Sequence, residues 1–500
     1  MALRTTSLPA RPATRVLNPK RQYAHSRGFQ TGKAQVSWGA IAFLLGHVPF
    51  AFLMKWLPLL AQAHSLAVLA VGLWFATRRG NSFGVARVAA YLVGSELLWR
   101  MCGGGFFWEF GKYAFALILG VALWRQRNRS LDKVAMWYFL LLLPSIAFAL
   151  ISSSLYEART NISFYLSGPL ALVFGVYFFK GLRLTPIQLR AALLSLIAPI
   201  LGAAAICYKS TFGSDDITFG TSANNAASGG FGANQVSASF GLGIAAVALC
   251  WWLTPVGKLT RCILVAAVLF FVTQALLTMS RTGLWLATIS CGLGGLQLAR
   301  NPRQIVGLMV SAALAALLVW LVVVPSIEKL AGNAVWERFQ KTQGSGRENI
   351  VQADLYVWAH HPLFGVGVGR AIPERVPYLG LRKASHTEYT RLLSEHGLLG
   401  AISLVLLLYI PARAFRAAKT VPEKVLAATV ASFGLLFMMV SATRMLIPSF
   451  LLGLACVRQI APQIKFNRPQ IRRIVGQSAI AMQLEPQRSL PEHRIYGAGT

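Results

Sequence analysis

Residues 334–400 read AVWERFQKTQGSGRENIVQADLYVWAHHPLFGVGVGRAIPERVPYLGLRKASHTEYTRLLSEHGLLG, the one long polar interval in a chain otherwise built of apolar runs. Residues 325–390 hold six of its sixteen carboxylates (Glu328, Glu337, Glu348, Asp354, Glu374 and Glu388), eight Lys or Arg residues and three of its eight histidines. Chemistry is to be sought there first.

Outward from this interval, apolar segments of helix-spanning length fall at 36–54, 59–77, 86–102, 111–124, 134–152, 163–180, 190–207, 236–253, 262–279, 283–299, 304–324, 391–411, 426–442 and 445–460. Several are shorter than the ~20 residues a bilayer asks of a helix. With 55% hydrophobic and 13% charged residues over 500 positions, the composition excludes a water-soluble core. It predicts an all-α, polytopic transmembrane helical bundle of about 12–14 spans with one long outer loop.

The net charge of +32 invites a nucleic-acid reading, but its placement explains it without one. With the N-terminus inside, the even connections carry eighteen basic residues, among them Arg78, Arg79, Lys180, Arg183, Arg413 and Lys419; the short outer connections carry seven. That asymmetry is the positive-inside pattern. The organisation expected is a basic cytoplasmic tail at 1–34, an N-terminal transmembrane bundle at 35–324 with an outer loop at 208–235, a large periplasmic loop at 325–390, C-terminal transmembrane helices at 391–460 and a second basic cytoplasmic tail at 461–500. An Arg-rich, acid-free N-terminus also fits an organellar transit peptide.

No GxxxxGK[ST] occurs, so nucleotide hydrolysis is not the energy source. Gly365, Gly367 and Gly369 have period two and read as extended, closely packed backbone rather than a dinucleotide fingerprint. Asp215 with Asp216, and Asp354 with His360 and His361, are the candidates for metal ligation, and each has a blander reading as solvated polar side chains. The six cysteines show no CxxC spacing and behave as small hydrophobes.

In SHTEYTRLLSEHGLLGAISLVLLLYI, residues 385–410, a polar start runs into an apolar span. A helix beginning near Ser385 puts His386 at its outer mouth, on one face with Thr390, Leu393 and Gly397, where a histidine acts as a base at neutral pH. His396 lies ~15 Å deeper and around the helix, outside the same site. Glu388, Arg391 and Glu395 read as a helix-stabilising charge ladder. Arg281, in LLTMSRTGLWLA, is a cation at an outer helix end with Ser280, Thr282 and Gly283 leaving room for an anion. Arg347 in QGSGRENI is a second outer arginine and Arg338 in WERF a third.

The order SRTG (280–283), GRENIVQADLYVWAHHPLFGVGVGR (346–370) and SHTEYTRLLSEHGLLGAISL (385–404) resembles the C-terminal half of the bacterial O-antigen ligase and O-antigen polymerase superfamily. GGFGANQVSASFGLG (229–243) is similar to that family's Asn-containing start of a span. The resemblance covers about 220–445. This chain departs from it in Thr387, where an Asn often follows the histidine, in Gln235, where a second Asn is usual, and in a longer N-terminal tail. The resemblance implies a periplasm-facing glycosyltransferase of the bacterial inner membrane, with His386 as catalytic base and with Arg281 and, less directly, Arg347 holding the donor diphosphate; Arg338, the third outer arginine, is the weaker candidate for the same role. It implies an undecaprenyl-diphosphate-linked glycan as donor, a glycan, lipid or protein acceptor, the bilayer as surroundings, no nucleic acid, and no metal or other cofactor. Polysaccharide polymerisation, protein O-glycosylation from the same donor, and transport of a lipid-linked glycan or small anion are the alternatives.

Overall fold

The computed structural model describes residues 38–126, 131–213, 219, 222–299, 302–332, 337, 340, 347–380 and 382–459. The helices are α1 (Trp38–Trp56), α2 (Pro58–Thr77), α3 (Ser82–Met101), α4 (Phe110–Arg125), α5 (Lys133–Leu140), α6 (Ser145–Ser152) and α7 (Leu155–Lys180). They continue as α8 (Pro186–Phe212), α9 (Ala233–Leu253), α10 (Lys258–Leu277), α11 (Thr282–Leu296), α12 (Pro302–Leu318) and α13 (Val324–Ala331), the last two joined by a π-helical turn at Val319–Val323. Then come α14 (Arg347–His360), α15 (Ala371–Glu374), α16 (Val376–Leu379), α17 (Glu388–Arg416), α18 (Val421–Ser441) and α19 (Ile447–Leu454). A two-residue parallel pair of strands, Arg183–Leu184 with Arg458–Gln459, ties the end of the helical part to the turn after α7.

Among the described residues, nine helical stretches are long and apolar enough to cross a membrane. The all-α polytopic architecture is as the hydropathy predicts, and each of the fourteen segments corresponds to helix. Three differ in detail. The segment 134–152 is broken into α5 and α6 by a turn at 141–144. The segment 445–460 forms an eight-residue helix, α19, only ~12 Å long, buried throughout against α7 and α18. The boundary expected at 324/325 falls inside continuous helix, because α12, the π turn and α13 run without a break.

Helix starts follow their caps. The Asn81, Asp132 and Ser154 side chains each accept a first-turn N–H, and Thr185 with Gln188 and Thr420 with Glu423 form reciprocal capping boxes, satisfying donors that the first turn leaves unpaired. In lipid there is little hydrophobic drive between helices, so close approach of small residues holds them together. Gly241 of α9 meets Gly283 of α11, and Gly175 of α7 meets Gly453 of α19, so closely that a Cβ at any of them overlaps the partner backbone.

The buried carboxylate of Asp132 joins Lys180 at 2.7 Å and also pairs with Arg413. Three of the connections expected on the cytoplasmic side therefore share one end of the bundle. His386 lies at the opposite end.

The 365–369 glycines are not extended: φ is 66°, 97° and 75° at Gly365, Gly367 and Gly369. This left-handed run lays the loop against α17, where the Val366 and Gly367 N–H groups donate to the carbonyls of Ser394 and Glu395, both at 3.0 Å. Gly397 answers it with φ 58° and ψ −135°, breaking α17 where the loop crosses.

Candidate active site

His386 precedes α17 rather than standing on it. Thr387 is the helix cap, with φ −107° and ψ 133°, and its hydroxyl accepts the Tyr389 N–H at 3.2 Å. Asn and Thr cap by the same hydrogen bond, so an Asn at this position can cap the helix in the same way. The expected one-face alignment of His386 with Thr390, Leu393 and Gly397 is corrected by the helix start at Glu388 and by the break at Gly397. His396 is buried at that break.

A turn between α18 and α19, residues 442–446, clamps the histidine's backbone. The Ala442 N–H donates to the His386 carbonyl at 3.0 Å, and Arg444 Nη2 donates to the Ser385 carbonyl at 2.7 Å. Thr443 donates its N–H and hydroxyl to the Glu388 carboxylate at 3.3 Å. The turn is itself gripped from α3: Glu96 accepts the Leu446 N–H at 2.7 Å, and Arg100, paired with Glu96 at 2.8 Å, donates to the Arg444 carbonyl at 3.2 Å.

On the other side of His386, Arg375 is fully buried and pairs with Asp354 and the Ser385 hydroxyl, and donates to the Lys383 carbonyl at 2.7 Å. Thr390 donates to the second Asp354 oxygen at 2.7 Å. Asp354 is thus taken up by α17 and Arg375, while His360 stacks on Tyr356 at 4.0 Å between ring centres. The grouping of Asp354 with His360 and His361 as metal ligands is therefore not formed, and among the described residues no three His, Cys, Asp or Glu side chains gather to hold a metal.

The charge ladder on α17 is a buried triad. Arg391 forks onto Glu388 at 2.5 and 3.0 Å, reaches Glu395 at 2.6 Å, and lies over the Tyr165 ring at 5.0 Å. All three charged side chains are no more than 1% exposed. A surface ladder stabilises little; in this triad each charge depends on its partners.

Burial pushes the His386 imidazole down to about 4, helped by the positive charges of Arg444, Arg347, Lys383 and Arg375. The ring is therefore neutral at physiological pH and able to accept a proton, in a setting that attracts anions.

Of the arginines expected from the sequence, Arg347 opens α14 and faces His386 closely enough to act on its charge. Arg281 caps α11 on a polar corner of its own: Ser280 and Thr282 donate to the Asn234 side chain at 2.8 and 3.4 Å, and Ser237 donates to the Ser280 carbonyl at 2.8 Å. Gly294 of α11 lies against Thr429 of α18. Phe231, just before α9, stacks on Trp108, and Arg100 lies over the same ring while donating to the Arg444 carbonyl; Asn234 near the start of α9 holds Ser280, so Arg281 and the 442–446 turn lie toward the same end of the bundle. Arg338, Asp215 and Asp216 lie outside the described residues. Sequence reasoning missed Arg444, Arg375 and Arg100, which it counted, where at all, as topological charge.

Fold and site together define a polytopic α-helical membrane protein with a cation-rich polar centre at one end of its bundle. Residues 265–405 match the family model described as O-antigen ligase, from mid-α10 to mid-α17. The match supports the O-antigen ligase and polymerase superfamily for this chain and suggests a membrane glycan-transfer enzyme. No curated protein matches the chain.

Proposed function

We propose that the protein transfers a glycan from a polyprenyl-diphosphate carrier to an acceptor hydroxyl on the outer, periplasmic face of the membrane. His386 takes the proton of the acceptor hydroxyl as its oxygen attacks the anomeric carbon. The bond from that carbon to the phosphate oxygen breaks, its electron pair leaves on the polyprenyl diphosphate, and direct displacement inverts the anomeric centre. Arg281 and Arg347 hold the diphosphate and offset the charge that develops on it. Arg338 belongs to the same set by its place in the outer loop.

The observation that carries this reading is His386 held just before α17 by the Ala442 N–H, with the buried or half-buried arginines Arg375 and Arg444 bound to the hydroxyl and carbonyl of the adjacent Ser385. A ring pushed down to about 4 is a weak base in the free enzyme. A bound diphosphate, opposite in charge to the ring's neighbours, raises its affinity for a proton toward the range where general bases work best. Donor binding therefore prepares the base.

Purified protein given polyprenyl-diphosphate glycan and an acceptor is expected to form product without ATP and in the presence of EDTA. A strict need for a divalent ion contradicts the arginine clamp and redirects attention to Asp215 and Asp216.

A further inference from the structure

Two corners of the chain repeat one construction. Thr278-Met279-Ser280-Arg281 follows α10, and Ser441-Ala442-Thr443-Arg444 closes α18. Met279, at φ 55°, and Ala442, at φ 49°, are the non-glycine residues with left-handed backbone among those described. Such conformations are costly for a residue with a Cβ and persist where the surroundings enforce them. In each corner the next residue is a hydroxyl with a defined partner, Ser280 on Asn234 and Thr443 on Glu388. An arginine follows. The corners lie toward the same end of the bundle, one opening α11 and the other closing α18, and the two helices pack against each other.

Arg444 also differs from the arginines around it. Arg100 pairs with Glu96, Arg375 with Asp354, and Arg391 with Glu388 and Glu395. Among the described residues, no carboxylate lies within ion-pair distance of Arg444, and its guanidinium donates to the Ser385 carbonyl alone. A half-buried guanidinium without a carboxylate at ion-pair distance, bonded to the residue next to His386, asks for an anion. Its remaining N–H groups are free to supply the bidentate geometry that phosphate oxygens accept.

We infer that Arg444 is a further diphosphate-binding arginine, the counterpart of Arg281 on α18, which holds the donor's leaving group beside His386. This rests on the proposed transfer from a polyprenyl diphosphate. Arg444 lies outside the 265–405 match and comes from the structure alone.

The test is binding of inorganic pyrophosphate to the purified full chain in lipid nanodiscs, beside glycan transfer measured as a function of pH. Arg444→Ala is expected to weaken pyrophosphate binding about tenfold to a hundredfold, as loss of a charge-assisted pair does. It also removes one of the four cations facing His386 (Arg444, Arg347, Lys383 and Arg375), so the acid limb of kcat/KM moves to higher pH, which a purely structural role does not produce. Arg444→Gln, which can keep the bond to the Ser385 carbonyl without the charge, is expected to lose binding likewise and covers a folding failure of the alanine variant. Arg382→Ala, removing an exposed cation from the segment before α17, is expected to bind as wild type does. Wild-type affinity in a folded Arg444→Gln variant overturns the inference and leaves the transfer reading standing. A wild-type protein that transfers glycan but does not bind pyrophosphate also overturns it, and one that does neither overturns both.

Discussion

The backbone N–H of Ala442 donates to the carbonyl oxygen of His386 at 3.0 Å, joining the end of α18 to the residue before the Thr387 cap of α17. The left-handed φ of 49° at Ala442 turns the chain back toward the histidine. Glycine takes such angles without steric cost, whereas an alanine at φ 49° and ψ −148° is strained by about 1–3 kcal/mol. Ala442→Gly is therefore expected to leave glycan transfer intact, with any relief of strain offset in part by the freer unfolded chain. Ala442→Val adds a β-branched side chain where alanine is already strained and is expected to lower both thermal stability and turnover. Equal melting temperatures for the glycine and valine variants contradict a strained clamp.

Crossing of the 365–369 loop over α17 depends on two glycines that touch. A Cβ at Gly397 falls 2.6 Å from the Gly365 nitrogen, and one at Gly365 falls 2.4 Å from the Glu395 carbonyl carbon. Backbone cannot yield as a side-chain tip can, so Gly397→Ala is expected to destabilise by about 2–4 kcal/mol through overlap and a forbidden φ together. Thermal unfolding in detergent reads this; a shift no larger than that of Gly380→Ala, where a Cβ meets open space, contradicts it.

Arg391 holds two buried carboxylates. Arg391→Met leaves Glu388 and Glu395 uncompensated, a loss of about 3–5 kcal/mol where one partner of a buried pair is removed. Adding Glu388→Gln and Glu395→Gln removes the stranded charges and is expected to restore much of the lost stability. A triple variant no more stable than the single one argues that packing on Tyr165, rather than charge, is what Arg391 supplies.

The pH profile has a definite sign. In the free enzyme, burial and four cations hold His386 down to about 4, so kcat/KM is expected to keep its acid limb near that pH. In the donor complex the diphosphate's negative charge favours the imidazolium, so the acid limb of kcat lies at higher pH. Coincident limbs near the ordinary histidine value of ~6.5 contradict the cationic surroundings of the ring.

Much of this architecture is legible in the sequence because hydropathy and capping residues are local signals. Asp132, Thr185 and Thr420 announce their helices, and the apolar runs announce the spans. Ser385, Thr387 and Glu388 are all compatible with the start of α17, and the choice of Thr387 is made by residues distant in the chain: Arg444, 59 positions from the Ser385 carbonyl it binds, and Arg100, which holds the Arg444 carbonyl. Gly397 reads as an ordinary helical glycine until Gly365 is seen against it. The α17 charges have the spacing of a surface ladder, and only the packing of Tyr165 and Thr443 reveals them as buried. Arg444 had a signal that could have found it: SATR after an apolar span matches TMSR, which had already marked Arg281.

The most direct measurement is single-turnover glycan transfer by purified, membrane-inserted His386→Ala, with donor binding measured in parallel. Turnover is expected to fall ~10²-fold to 10⁴-fold, the contribution of a positioned base, while donor affinity stays close to wild type. Transfer at the wild-type rate by His386→Ala, with His396→Ala inactive though folded, contradicts the assignment of the catalytic base.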